Sequence, residues 1–181
     1  FELEKNGEDF MPLIRFWKKL QSNPSQASIQ QLYGFMVHNG IGLTEGGDII
    51  TEKGVGVKDG ILVDERTGRF DNSIGQVVEM PREKVDANPK QTCSFGLHVG
   101  AQDYVRNHYS KSVIVRCSVN PADVVAVPID YKNTKMRVCK YTVIGYAEDK
   151  TVHKPVFKLA DFITEPSQAV SERIVASSKK T

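Results

Sequence analysis

At 181 residues, with 40% hydrophobic and 25% charged residues, the chain holds enough apolar material for one globular domain with a real core and an appended arm. Its 24 basic and 22 acidic residues leave a net charge of +2, which gives no strong nucleic-acid signal. No apolar run approaches the roughly 20 residues of a membrane-spanning helix.

The stretch "DFMPLIRFWKKLQSN" predicts a helix with one apolar stripe of Phe10, Leu13, Ile14, Trp17 and Leu20, capped by Asp9 and with Pro12 in its first turn. "NPSQASIQQLYGFMVHNG" predicts a second. Asn23 is its cap, Pro24 its first position, Gln26 part of a capping box, and Gly40 its left-handed stop. Its stripe is Ile29, Leu32, Tyr33 and Met36, and together the two helices form an N-terminal helical hairpin over 1–42.

An α+β core over 43–163 follows. "DIITEKGVGV" and "DGILVDERTGRFDNSIG" carry short β-branched runs between turn signals at Asp59-Gly60, Thr67-Gly68 and Asp71-Asn72, as hairpins do. "QVVEM" is a short strand, "PREKVDANPKQT" a polar loop and "FGLHV" a strand. "AQDYVRNHY" is a short helix with Tyr104 and His108 on one face. "SVIVRCSV" alternates, placing Val113, Val115, Cys117 and Val119 together, and "DVVAVP" is apolar enough to be buried on both faces. "MRVCKYTVIGYA" is expected as one long strand, with Cys139, Tyr141 and Val143 opposite Val138, Lys140, Thr142, Ile144 and Tyr146. "VFKLADFITE" adds a last strand or turn, and 164–181 is a tail. The fold class is therefore α+β: a helical hairpin, then a mostly antiparallel sheet with one inserted helix.

The cysteines Cys93, Cys117 and Cys139 are odd in number and widely spaced, without CxxC, which argues against a structural metal and for a reducing compartment. No secretory leader is visible, and a start at Phe1 instead of Met is what a processed or excised piece would show.

The stretch "TCSFGLHVG" sets Cys93 five residues before His98, with Gly96 and Gly100 around the strand. Nucleophilic catalysis would need a thiolate and a base within hydrogen-bond reach. The plain alternative is a turn feeding a strand, with a satisfied histidine. "EGGDIITEKGVGV" lacks the P-loop lysine spacing and has no helix after it. "FDNSIG" puts Asp71, Asn72 and Ser73 in a turn. "PIDYKNTKMRVCKY" packs Lys132, Lys135, Arg137 and Lys140 around Tyr131, which would serve an anion or simply form a solvated hairpin.

These stretches together resemble the rIIB-like proteins of tailed bacteriophages, the family of protectors from prophage-induced early lysis. The likeness runs from about Ser22 to Tyr146 through "NPSQASIQQLYGFM", "LTEGGDIITEKGV", Asn72 with Gly75, "MPR" with Val85-Asp86, "TCSFGLHV", "NPADVV" and "KMRVCKY". Thr51-Glu52 departs from the family's pattern, where an Ala-Tyr pair is expected. The resemblance implies an infection protein acting against host or prophage exclusion, or in lysis control, in the cytoplasm of the infected host or peripherally at its inner membrane. An rIIA-like phage partner or a host defence protein is the implied partner. It implies no reaction, and no cofactor or metal.

A fainter likeness is to the ADP-ribosyltransferase fold, in the run "GLHVGAQDYVRNHY" to "VIVRCSV". It implies a nucleotide-acting enzyme with a nucleotide ligand. Candidate catalytic residues are Cys93, His98 and Tyr104; candidate ligand-binding residues are Lys53, Asn72, Lys135 and Arg137. The two readings separate on His98. A histidine packed into the core favours a non-enzymatic protein, whereas a cleft-facing one with a displaced pKa favours the enzyme.

Overall fold

The computed structural model describes residues 10–40, 42–148 and 157–158. Asp9, His153, the 164–181 tail and most of "VFKLADFITE" lie outside the described residues.

Helix α1 (Met11–Gln21) begins with Pro12 in its first turn and ends on Lys18 and Lys19, which suit the negative end of its dipole. It buries Pro12, Phe16 and Leu20. The expected stripe is only partly right: Ile14 and Trp17 remain 44% and 40% exposed. The ridge spaced by four residues faces the 3₁₀ turn Pro121–Asp123 and the short strand Gly42–Leu43 instead. A Cβ on Gly47 would stand 2.4 Å from the Phe16 nitrogen, so the Glu45–Gly47 turn rests directly on α1. This packing, together with the Lys19–Asp48 ion pair, accounts for the "EGG" stretch.

Helix α2 (Gln26–Asn39) is capped by Ser25, whose hydroxyl accepts from the Ser28 N–H, and it stops at Gly40 with φ 56° as expected. Asn23, the expected cap, is buried instead. Its amide donates to the carbonyls of Pro121 and Val124, and its oxygen accepts from Arg82. That network moves the helix start past Pro24. The α2 face buries Ser28, Leu32, Phe35 and Met36 while Tyr33 stays exposed. Ser28 donates to the Val125 carbonyl and Gln31 accepts from the Val127 N–H, so α2 satisfies polar groups of an edge strand as well as covering it.

Among the described residues the sheet has ten strands: β1 (Gly42–Leu43), β2 (Ile49–Lys58), β3 (Ile61–Asp64), β4 (Val77–Glu79), β5 (Leu97–Gly100), β6 (Val113–Val119), β7 (Val124–Ala126), β8 (Lys135–Val138), β9 (Lys140–Tyr146) and β10 (Phe157–Lys158). All pairings are antiparallel, in the order β4-β9-β6-β2-β5-β8-β7, with β3 and β1 also on β2 and β10 on β1. The fold is α+β, helices first.

The long strand expected over "MRVCKYTVIGYA" is two strands. The chain breaks at Cys139, whose N–H donates to the Asp123 carbonyl while its own carbonyl accepts from Met80. β8 then belongs to one end of the strand order and β9 to the other, although one residue separates them in the chain. The sheet must therefore curl round on itself. Val55, Val99, Val115, Cys117, Met136 and Val143 fill its inner side, joined by Phe16, Leu32 and Phe35 from the helices. The short helix α3 (Gln102–His108) follows β5 as expected.

Candidate functional site

Strand β2 has two unlike edges. One pairs with β6 without interruption from Ile49 to Val55. The other passes from β1 at Ile49, to β5 at the single pair Glu52–Gly100, to β3 from Val55 onward. The Asp59-Gly60 turn, with φ of 52° and 78°, folds β3 back on β2 in a two-residue hairpin. β3 and β5 thus part company beside Lys53 and Gly54. A cleft of about 730 Å³ opens there. The turn 64–70 forms one wall and the loop 92–96 the other, with α3 at one end and Lys53, His98 and Tyr141 among the lining residues.

Glycines let this space exist. A Cβ on Gly54 would lie 2.4 Å from the Tyr109 ring, and one on Gly100 would lie 2.9 Å from the Tyr104 ring. The two tyrosines are therefore seated on strand backbone. Tyr104 also stacks on His108, with centroids 4.2 Å apart.

Of the residues singled out in the sequence, Lys53, Cys93, His98, Tyr104 and Lys135 all line the cleft. Lys53 is half-buried. Its Nζ donates to the His98 carbonyl at 2.8 Å and lies 5.8 Å from the centre of the Tyr141 ring. Burial pushes its pKa below the ordinary lysine value, against the opposing fields of Asp64 and Glu65. Lys135 is buried and donates to the Thr92 carbonyl at 2.8 Å. His98 is half-buried, and its pKa falls to about 4, first through burial and then through the fields of Lys53, Arg137, Lys135 and Arg66. Its imidazole is thus neutral across the physiological range. Cys93 is exposed, and no hydrogen bond joins it to His98, so the two share a cleft without forming a nucleophile–base pair.

Asn72 and Arg137 lie behind the cleft, not in it. Asn72 is fully buried, donates to the Phe70 carbonyl and accepts from the Tyr141 hydroxyl. Arg137 is also fully buried, and its guanidinium donates to the carbonyls of Asp86, Gln91 and Asn88. It holds the polar 86–91 loop in place.

The carboxylates that line the cleft already have partners. Glu52 pairs with Arg106 at 3.2 Å. Glu65 accepts from the Ser112 hydroxyl. Burial alone would raise the Asp64 carboxyl, but the N–H groups of Phe70, Thr67 and Arg69 and the Thr67 hydroxyl overcome this and hold it below its ordinary value. By contrast, the guanidinium groups of Arg66 and Arg69 make no hydrogen bond or ion pair to a described residue, and both line the cleft. Cys117, on β6 opposite Thr51 of β2, is pushed up to about 12 by burial and is chemically inert. Among the described residues no group of three or more His, Cys, Asp or Glu could hold a metal.

Comparison with known proteins bears on this architecture. The sequence model of the family described as Bacteriophage T4 protein rIIB matches residues 5–158. The chain belongs to the rIIB family. It is 42% identical over 142 residues to Protein rIIB of Enterobacteria phage T4, a match that covers 77% of this chain and 44% of the relative. This rIIB-family chain thus spans under half the length of that relative. No solved structure matches it. Among its described residues no helix is long and apolar enough to cross a membrane.

Sequence reasoning missed Arg66, Arg69, Tyr109 and Tyr141 as cleft residues. Tyr141 carried one signal, a phenol on the inward face of a strand, which calls for a buried partner. Nothing local marks the others, because only the parting of β3 from β5 brings them together.

Proposed function

We propose that this rIIB-family chain is a small-ligand-binding unit. It would act during infection against host or prophage exclusion or in lysis control, in the cytoplasm of the infected host, alongside an rIIA-like partner or against a host defence protein. The observation that carries the binding reading is the cleft itself. It has the volume of ordinary small-molecule sites and combines apolar walls with a few convergent polar groups.

The reading as a nucleotide-acting enzyme of ADP-ribosyltransferase-like fold has one observation in its favour. His98 faces the cleft with a displaced pKa, the mark set for that reading. Two features weigh against proton transfer by that ring. A base with a pKa near 4 is weak at neutral pH. The ring also has no hydrogen bond to a described residue that would orient it, as a catalytic imidazole needs.

Native mass spectrometry of the chain, after incubation with the small-molecule fraction of infected cells, tests the binding reading. A stoichiometric adduct is expected, and it should disappear in His98→Trp, which crowds the cleft beside Lys53. A folded chain without an adduct, or an adduct unchanged in that variant, would overturn it.

A further inference from the structure

Resting on the reading of the cleft as a ligand site, we propose that its ligand is a nucleotide. The phosphates lie on Lys53, Arg66 and Arg69, and the base lies against the aromatic rings of the cleft.

Charge carries the first half. Glu52, Asp64 and Glu65 are each held by partners from the chain itself. Lys53 is not balanced in this way. It is a half-buried ammonium with one carbonyl partner and one aromatic face but no ion pair to a described residue, and an ammonium has three donors. Taking a cation out of water without a counter-ion is unfavourable, so such a group is poised for an anion supplied from outside. Arg66 and Arg69 stand on the neighbouring wall with planar forks that match phosphate oxygens. His98 stays neutral beside them and offers a ring N–H without repelling a further cation.

The apolar half decides against a bare anion. Phe95 lines the same cleft and is 66% exposed, and the half-buried Tyr109 lies opposite the Gly54 backbone. Inorganic phosphate would leave these rings uncovered, whereas a planar base stacks on such faces. The volume admits both parts of one mononucleotide. A nucleic-acid strand is disfavoured because the chain is close to neutral, with a net charge of +2.

The test is isothermal titration of the full chain with ADP, GDP, CDP and UDP, beside pyrophosphate and the matching nucleosides. At least one nucleoside diphosphate should bind, and both pyrophosphate and its nucleoside should bind at least ~tenfold more weakly. Lys53→Met should weaken that binding by ~tenfold or more. Should Lys53→Met fail to fold, the exposed double variant Arg66→Gln with Arg69→Gln serves in its place and should weaken binding similarly. Pyrophosphate binding as tightly as the diphosphate would overturn the nucleotide class. So would diphosphate binding that neither variant changes. If cell extract gives an adduct that His98→Trp removes but no diphosphate binds, this inference fails while the ligand-site reading stands. If neither binds, both fail.

Discussion

Lowering the pH should destabilise this protein through His98 in particular. The ring's pKa is about 4 in the folded chain against an ordinary value of 6.5, so between those values the unfolded chain binds the extra proton. Stability from this group is therefore complete above the unfolded value and is lost as pH falls toward the folded one. At ~1.4 kcal/mol per pKa unit, the full loss is about 3 kcal/mol. By pH ~5 the unfolded ring is almost wholly protonated and the folded one is not, so about 2 kcal/mol is already gone. Urea unfolding at pH ~7.5, 6 and 5 measures this, with His98→Gln as the control that removes the titrating group and leaves the others. The wild-type free energy should fall about 2 kcal/mol further than the variant's over that range. Parallel curves for the two proteins would refute the picture of a desolvated ring among cations.

Arg137→Met should cost roughly 2–4 kcal/mol and free the 86–91 loop to amide exchange, since three carbonyls lose a charged donor. Arg137→Lys should rescue little of this, because one ammonium cannot reproduce the planar fork. Gly54→Ala should cost about 1–3 kcal/mol, and much less in a Tyr109→Ala background, as a double-mutant cycle would show. In the native state a thiol reagent should modify Cys93 rapidly and leave Cys117 and Cys139 intact; mass spectrometry after unfolding should then release both remaining thiols.

Local patterns in the sequence were legible where local physics decides. The alternation of "SVIVRCSV" gave the buried face of β6, with Val115, Cys117 and Val119 inward. Asp59-Gly60 gave the β2–β3 hairpin, and the spacing of Tyr104 and His108 gave their stacking on α3. The α1 face was misjudged because the helix is apolar on two sides: Met11, Ile14 and Trp17 compete with Pro12, Phe16 and Leu20, and only the shape of the underlying turns chooses. The break at Cys139 has no breaker residue; it is imposed by long-range bonds to Asp123 and Met80.

The site was legible in part for the same reason. Lys53, His98 and Lys135 are polar residues within strands, which flags them. Arg137 carried the same flag, yet its guanidinium reaches backbone carbonyls of a loop 46 to 51 residues earlier in the chain. The cleft itself comes from the edge of β2 changing partners, a property of strand pairing that no local pattern records.

The most direct measurement is an amide NMR titration of the chain with the nucleoside diphosphate that binds best. Resonances of Gly54, Arg66, His98 and Gly100 should shift together and saturably, while those of α1 and α2 stay in place. Shifts confined to the exposed Met11, Ile14 and Trp17 face, or no shift with any of the four diphosphates, would contradict it.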